Sequence, residues 1–139
     1  MAHLTARGGF LLKTIVVAYD DPQSATLVRA ADLAVLAGAD LVVTNAVGPM
    51  RGDSAGEAAR TAESKLAQAR RALAERPVRA EFVPSIGAPA QAIVRLAEER
   101  SADLIVVGTR KKRFLERLVE GSVNREVLER ARCDVLVVY

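Results

Sequence analysis

Apolar runs closed by small or acidic residues recur along the chain. The first, Ile15 to Tyr19 within KTIVVAYDD, is rich in β-branched residues and stops at Asp20-Asp21-Pro22. Such a run predicts a buried strand entering a loop. ADLVVTNAV, Ala39 to Val47, predicts a second strand. Val78 to Pro84 is weaker, and its alternation and its proline suggest a sheet edge. ADLIVVG predicts the fourth strand and DVLVV, Asp134 to Val138, the last.

Between these runs the period changes to that of a helix. From Ser24 to Ala37, Leu27, Ala31 and Ala34 fall on one face, with Ser24 as N-cap and Gly38 just past the end. Gly48 to Asp53 is a polar connection containing glycine and proline. Ser54 to Arg76 is an Ala-rich helix with Ala59, Ala62, Leu66, Ala69 and Leu73 as its stripe, ended by Pro77. Pro89 suits a first helical turn, and that helix runs to about Arg100 with Ala90, Ile93, Leu96 and Ala97 inward. Ser122 to Ala131 predicts the last helix, packed through Val123, Val127 and Ala131. Strictly alternating strands and helices imply right-handed crossovers and an open parallel sheet between two helical layers.

Composition agrees with this α/β reading. Half of the 139 residues are hydrophobic but only 4% are aromatic, so Val, Leu, Ile and Ala must build the core. That suits parallel strands covered on both faces. The length predicts one domain over 1–139, with 1–12 a loose N-terminal segment and Arg51 to Ala55 the most mobile loop. With a single cysteine, Cys133, and a single histidine, His3, neither an internal disulfide nor a Cys/His metal cluster can form. Cys133 reads as a small core residue, and His3 stands in a terminus poorly suited to a general base. MAHLTARGGFLLK is too short in its apolar part for a signal peptide, and no segment approaches a membrane span, so a cytoplasmic protein is expected.

The net charge of +3 is unevenly placed: Arg110, Lys111, Lys112 and Arg113 form one run, with Arg117 nearby. It is either a solvated loop or an anion site for phosphate, nucleotide or nucleic acid. Gly121-Ser122 follows, just before a helix whose first turn offers unpaired N–H groups. Gly121 lacks a Cβ that would obstruct a phosphate, and Ser122 can cap the helix or donate its hydroxyl. The same two residues could instead simply shape a turn and cap. Phe114 and Leu115 either pin the loop to the sheet or meet a partner subunit.

From about Lys13 to Tyr139 the chain resembles the universal stress protein family. The matching stretches are TIVVAYDD, the GAP of Gly87 to Pro89, ADLIVVGTR, the GSV beginning at Gly121, and CDVLVV. The resemblance implies a five-stranded sheet of order 3-2-1-4-5 with two helices on each face. It also implies a ligand crevice where the first and fourth strands end, the switch point of an open α/β sheet. In nucleotide-binding members the long loop reads G-x2-G-x9-G-S/T. Gly108, Gly121 and Ser122 fit that pattern, whereas Lys111 replaces its middle glycine and Phe114 a small residue beyond it. Positions matching Ala18, Asp20 and Ala46 surround adenine and ribose in such members. Those matching Gly108, Gly121 and Ser122 follow the ribose and phosphates. Asp20 could alternatively only cap the helix after it.

Lys111 brings a Cβ and a restricted backbone to a phosphate cradle, yet also a positive charge beside Arg110. A charge-assisted hydrogen bond is worth ~1.5–3 kcal/mol, comparable to the strain a non-glycine residue imposes there. The expected ligand is ATP or AMP, with Mg accompanying ATP, at a degenerate site. The final strand, an apolar edge, invites pairing with a second copy, and family members commonly dimerise there. A homodimer through Val135, Leu136, Val137 and Val138 is therefore expected. No catalytic dyad, carboxylate pair or metal cluster is legible, so no dedicated enzyme is expected. Two other readings stay open: a stress protein that binds no nucleotide and acts through dimerisation and protein partners, and a nucleic-acid binder using Arg110 to Arg113. The second lacks stacking aromatics and a reading helix.

Overall fold

Strands and helices alternate in the computed structural model, which describes residues 11–20, 25–47, 55–109 and 123–139. The strands are β1 (Thr14–Ala18), β2 (Asp40–Val47), β3 (Ala80–Ile86), β4 (Leu104–Gly108) and β5 (Asp134–Val138). The helices are α1 (Thr26–Ala37), α2 (Ala55–Ala72), α3 (Pro89–Glu99) and α4 (Val123–Arg130). All sheet pairings are parallel, in the order β3-β2-β1-β4-β5. The β-branched runs fill the centre: Ile15, Val16, Val17, Ile105 and Val106 are fully buried.

Strand alternation sends side chains to two separate cores. Ile15, Val17, Tyr19, Leu41, Val43 and Val106 pack with α1 and α2, through residues such as Leu27, Ala31, Leu66 and Ala69. Val16, Val42, Ile105 and Val107 pack with α3 and α4, through Ile93, Leu96, Ala97 and Val127. Two helices thus cover each face, as expected. Alanine predominates on α1 because only small side chains let a helix lie close on a β-branched sheet.

Several boundaries differ from the sequence reading. The N-cap of α1 is Ala25, without a side-chain cap, not Ser24, which lies outside the described residues. Gly38 does end α1, with φ of 69°, a left-handed conformation that glycine adopts without steric cost. Its N–H and that of Ala39 reach back to Val35 and Ala34, closing the helix in a Schellman motif. In α2 the buried stripe begins at Ala58, not Ala59; alanine at both positions gave the period no contrast. The helix proper ends at Ala72, and Leu73 stays buried in the turn after it. β3 starts two residues later than expected and continues through Pro84 to Ile86. On an outer strand a missing N–H can face away from the sheet, so proline need not stop the pairing. Only Val127 of the three expected α4 core residues is buried, whereas Val123 is 41% exposed.

β5 occupies the other outer position. Leu136 is 40% exposed, Val135 and Val137 are half-buried against the chain's own core, and Val138 is buried. No helix among the described residues is long and apolar enough to cross a membrane.

Candidate functional site

β1 and β4 are neighbours whose connections leave in opposite directions, to β2 and to β5. In open α/β sheets, ligands bind at such a switch point beyond the strand ends. The register aligns Val17 with Val106, so Asp20 and Gly108 leave the sheet at the same edge. Ala18 is paired with Thr44, and Ala46 lies two residues further along β2. Ala18 and Ala46 are half-buried and share the face covered by α3 and α4. Both side chains are single methyl groups packed against that core.

The end of β4 is tied on both sides. Thr109 N–H donates to the Val138 carbonyl at 2.9 Å, and Asn124 Nδ2 donates to the Gly108 carbonyl at 2.9 Å. The second bond holds the first turn of α4 against the end of β4. A helix start, with its partial positive charge, therefore stands at this edge of the sheet.

The end of β1 is held still more closely. Tyr19 N–H donates to the Thr44 carbonyl at 2.8 Å, extending the β1–β2 ladder by one residue. Asn45 Nδ2 donates to the Tyr19 carbonyl at 2.8 Å, and Lys65 Nζ to the Asp20 carbonyl at 2.8 Å. The Tyr19 ring is buried on the α1/α2 face and its hydroxyl reaches Gln68 Oε1 at 3.4 Å, near the limit of a hydrogen bond. Asp20 itself is exposed. It precedes by five positions the N-cap of α1, which has no side-chain cap.

Asn45 is 1% exposed, and its Oδ1 is buried with no hydrogen-bond partner. An unpaired buried acceptor costs ~1–3 kcal/mol, whereas a typical net hydrogen bond returns ~0.5–1.5 kcal/mol. The side chain is therefore not explained by its contribution to folding. Next to it the buried Thr44 and Ser85 hydroxyls satisfy each other at 2.7 Å.

The described residues at this edge include groups suited to recognition. An exposed carboxylate accepts hydrogen bonds from hydroxyl groups, and a helix start attracts anions. Among the described residues no group of three or more His, Cys, Asp or Glu could hold a metal ion. Cys133 lies at the opposite end of the sheet, beside a cleft of about 120 Å³ that Arg132 and Glu98 also line. Burial first, then the nearby Asp134 and Asp103 carboxylates, pushes its thiol pKa up, which disfavours the thiolate. An open groove of about 450 Å³ runs along α2 and is lined by Glu57, Arg60, Thr61, Ser64 and Lys65.

Of the residues singled out from sequence, Ala18, Asp20, Ala46 and Gly108 come together at one edge. Arg110, Lys111, Gly121 and Ser122, like Phe114 and Leu115, lie outside the described residues. Sequence reading missed Asn45, Lys65 and Asn124. Thr44-Asn45 did carry a signal, as a polar interruption of an otherwise apolar strand. Lys65 and Asn124 carried none, since helix surfaces abound in such residues.

The universal stress protein family model matches residues 12–139. The universal stress protein Rv1636 of Mycobacterium tuberculosis is 33% identical over 147 aligned positions, covering 91% of this chain and 96% of that protein. With the universal stress protein MJ0531 of Methanocaldococcus jannaschii the match is local, 54% over 52 residues, which is 37% of this chain and 31% of that protein. Among solved structures, a universal stress protein in complex with cAMP superposes with a TM-score of 0.76 at 31% identity, covering 93% of this chain and 98% of that one. A universal stress protein from Archaeoglobus fulgidus in complex with dAMP gives 0.72 at 28% identity, covering 92% and 98%.

Proposed function

Because the chain belongs to the universal stress protein family, we propose that it is a cytoplasmic regulator in stress response whose β1/β4 crevice takes an adenine nucleotide. The observation that carries this reading is the Asn124–Gly108 bond at 2.9 Å, which sets a helix start beside the edge where Asp20 stands. Two relatives in complex with cAMP and dAMP support the ligand class.

In this reading Ala18 and Ala46 leave space for the flat base, and Asp20 accepts from ribose hydroxyls. Gly108, Gly121 and Ser122 line the ribose and phosphates, with Arg110 and Lys111 supplying charge. ATP and AMP are the ligands proposed, with Mg accompanying ATP. Occupancy then changes partner choice. The working unit is a homodimer paired through β5, whose outer position and exposed Leu136 favour it.

Nucleotide content of the purified protein, followed by calorimetry with ATP, AMP and cAMP, tests the reading. Binding of an adenine nucleotide in the micromolar range is expected. Absence of binding to all three removes the nucleotide role and leaves a stress protein acting through dimerisation and protein partners. Lys111→Gly removes the Cβ and the charge together: tighter ATP binding in that variant would show that the glycine-poor loop hinders the ligand, and weaker binding that the charge holds it. Unchanged affinity in that variant would show that Lys111 does not obstruct the cradle.

A further inference from the structure

We infer that Asn45 is a positioning residue for the candidate nucleotide site and that Lys65 acts with it. Together they fix the Tyr19-Asp20 backbone, and hence the Asp20 carboxylate, without touching the ligand. The inference rests on the nucleotide-binding reading above.

Two consecutive carbonyls, of Tyr19 and Asp20, are each taken by a side chain from a different element. Asn45 Nδ2 comes from β2 and Lys65 Nζ from α2, both at 2.8 Å. With Tyr19 N–H on the Thr44 carbonyl, the chain is held by both polar groups of Tyr19 as it leaves the sheet. Ordinary ladder pairing would hold Tyr19 N–H alone, and a loop carbonyl at an exposed edge normally turns to water. Here neither carbonyl is left to water alone, and the residue so fixed carries the carboxylate that the proposed ligand would meet.

The buried, unpartnered Oδ1 of Asn45 sharpens the point. A leucine would fill similar volume without burying an orphan acceptor. What asparagine adds is the Nδ2 bond to Tyr19, so the gain from this residue type is sought in where the loop is held. Lys65 extends the hold to α2, where it also lines the groove on that helix.

The test is a double-mutant cycle on AMP binding by the full chain, using Asn45→Leu, Lys65→Met and Asp20→Ala. Asn45→Leu is expected to weaken AMP by about tenfold and Lys65→Met by about threefold, with neither adding to the loss already caused by Asp20→Ala. Losses of the same size with and without Asp20, or no loss, overturn the inference. Should Asn45→Leu not fold, the Lys65→Met arm of the cycle decides. Should the native chain bind no nucleotide, the functional reading falls by itself, and amide exchange at Tyr19 judges the hold. Exchange about tenfold faster in Asn45→Leu supports it, and unchanged exchange overturns it.

Discussion

Where the strands begin, Asp103 Oδ2 accepts the N–H groups of Lys13 and Thr14 at 2.8 and 3.0 Å, and Asp103 N–H returns a bond to the Thr14 carbonyl at 2.9 Å. Arg79 meets Asp40 and the Gly38 carbonyl, Arg76 meets Asp32, Arg100 meets Glu81 and Arg132 meets Glu98. Where the strands end, Asp20 is exposed, Asn45 keeps an unpaired acceptor, and the side chains of Asn45, Lys65 and Asn124 each take a main-chain carbonyl. One end is laced by ion pairs, and the other keeps the buried, unpartnered Oδ1 of Asn45. The contrast separates the two ends: β1 and β4 are fastened together at their starts through Asp103, and the proposed site stands at their ends.

That division can be broken by experiment. The largest effect is expected from Asp103→Ala, which strips the acceptor from two backbone donors. A stability loss of about 2 kcal/mol in urea unfolding is expected, with nucleotide affinity unchanged. A loss of affinity without a loss of stability would place Asp103 in the wrong half of the comparison. Asp20→Ala should show the mirror image: about tenfold weaker AMP binding, or ~1.4 kcal/mol, with unfolding stability within ~0.5 kcal/mol of the native chain. A marked fall in melting temperature for this variant would mean that the end bearing the proposed site also carries the fold.

The smallest effect concerns pH. The hydrogen bond from Arg100 holds the Glu81 carboxyl below the usual carboxylate range, against a smaller opposing effect of burial. A depressed folded pKa gives stability that is present above the ordinary carboxylate pKa and is lost as pH falls through the folded value. Thermal melts between about pH 6 and 3 should therefore show slightly less acid sensitivity in Glu81→Gln than in the native chain. The difference should be slight because the pair is solvent-exposed, at 35% and 52% for the two side chains. A large acid-dependent gap between the two proteins would show that the laced end depends on that one pair.

The sheet and its order were legible because β-branched runs such as IVVA and LIVV have no other economical use, and the family resemblance supplied their sequence in space. Boundaries failed where the local signal was ambiguous. Pro84 marks a sheet edge, as expected, but not the end of the strand, which runs on to Ile86; Ala58 and Ala59 are indistinguishable until the helix is packed. At the site, the residues that line the edge could be named from the strand ends, as Ala18, Asp20, Ala46 and Gly108 show. Those that hold the edge in place could not. Asn45, Lys65 and Asn124 act on main-chain carbonyls, and a carbonyl leaves no trace in the amino-acid sequence.

Pro84, finally, bears on how copies of this chain can meet. β3 and β5 are the two outer strands, and only β3 contains a residue with no N–H to offer. Joining the β3 of one molecule to the β5 of the next would generate an open-ended ribbon. Proline makes β3 the less suitable margin for such pairing. In the proposed β5 dimer like margins would meet about a twofold axis, an arrangement that saturates at two molecules.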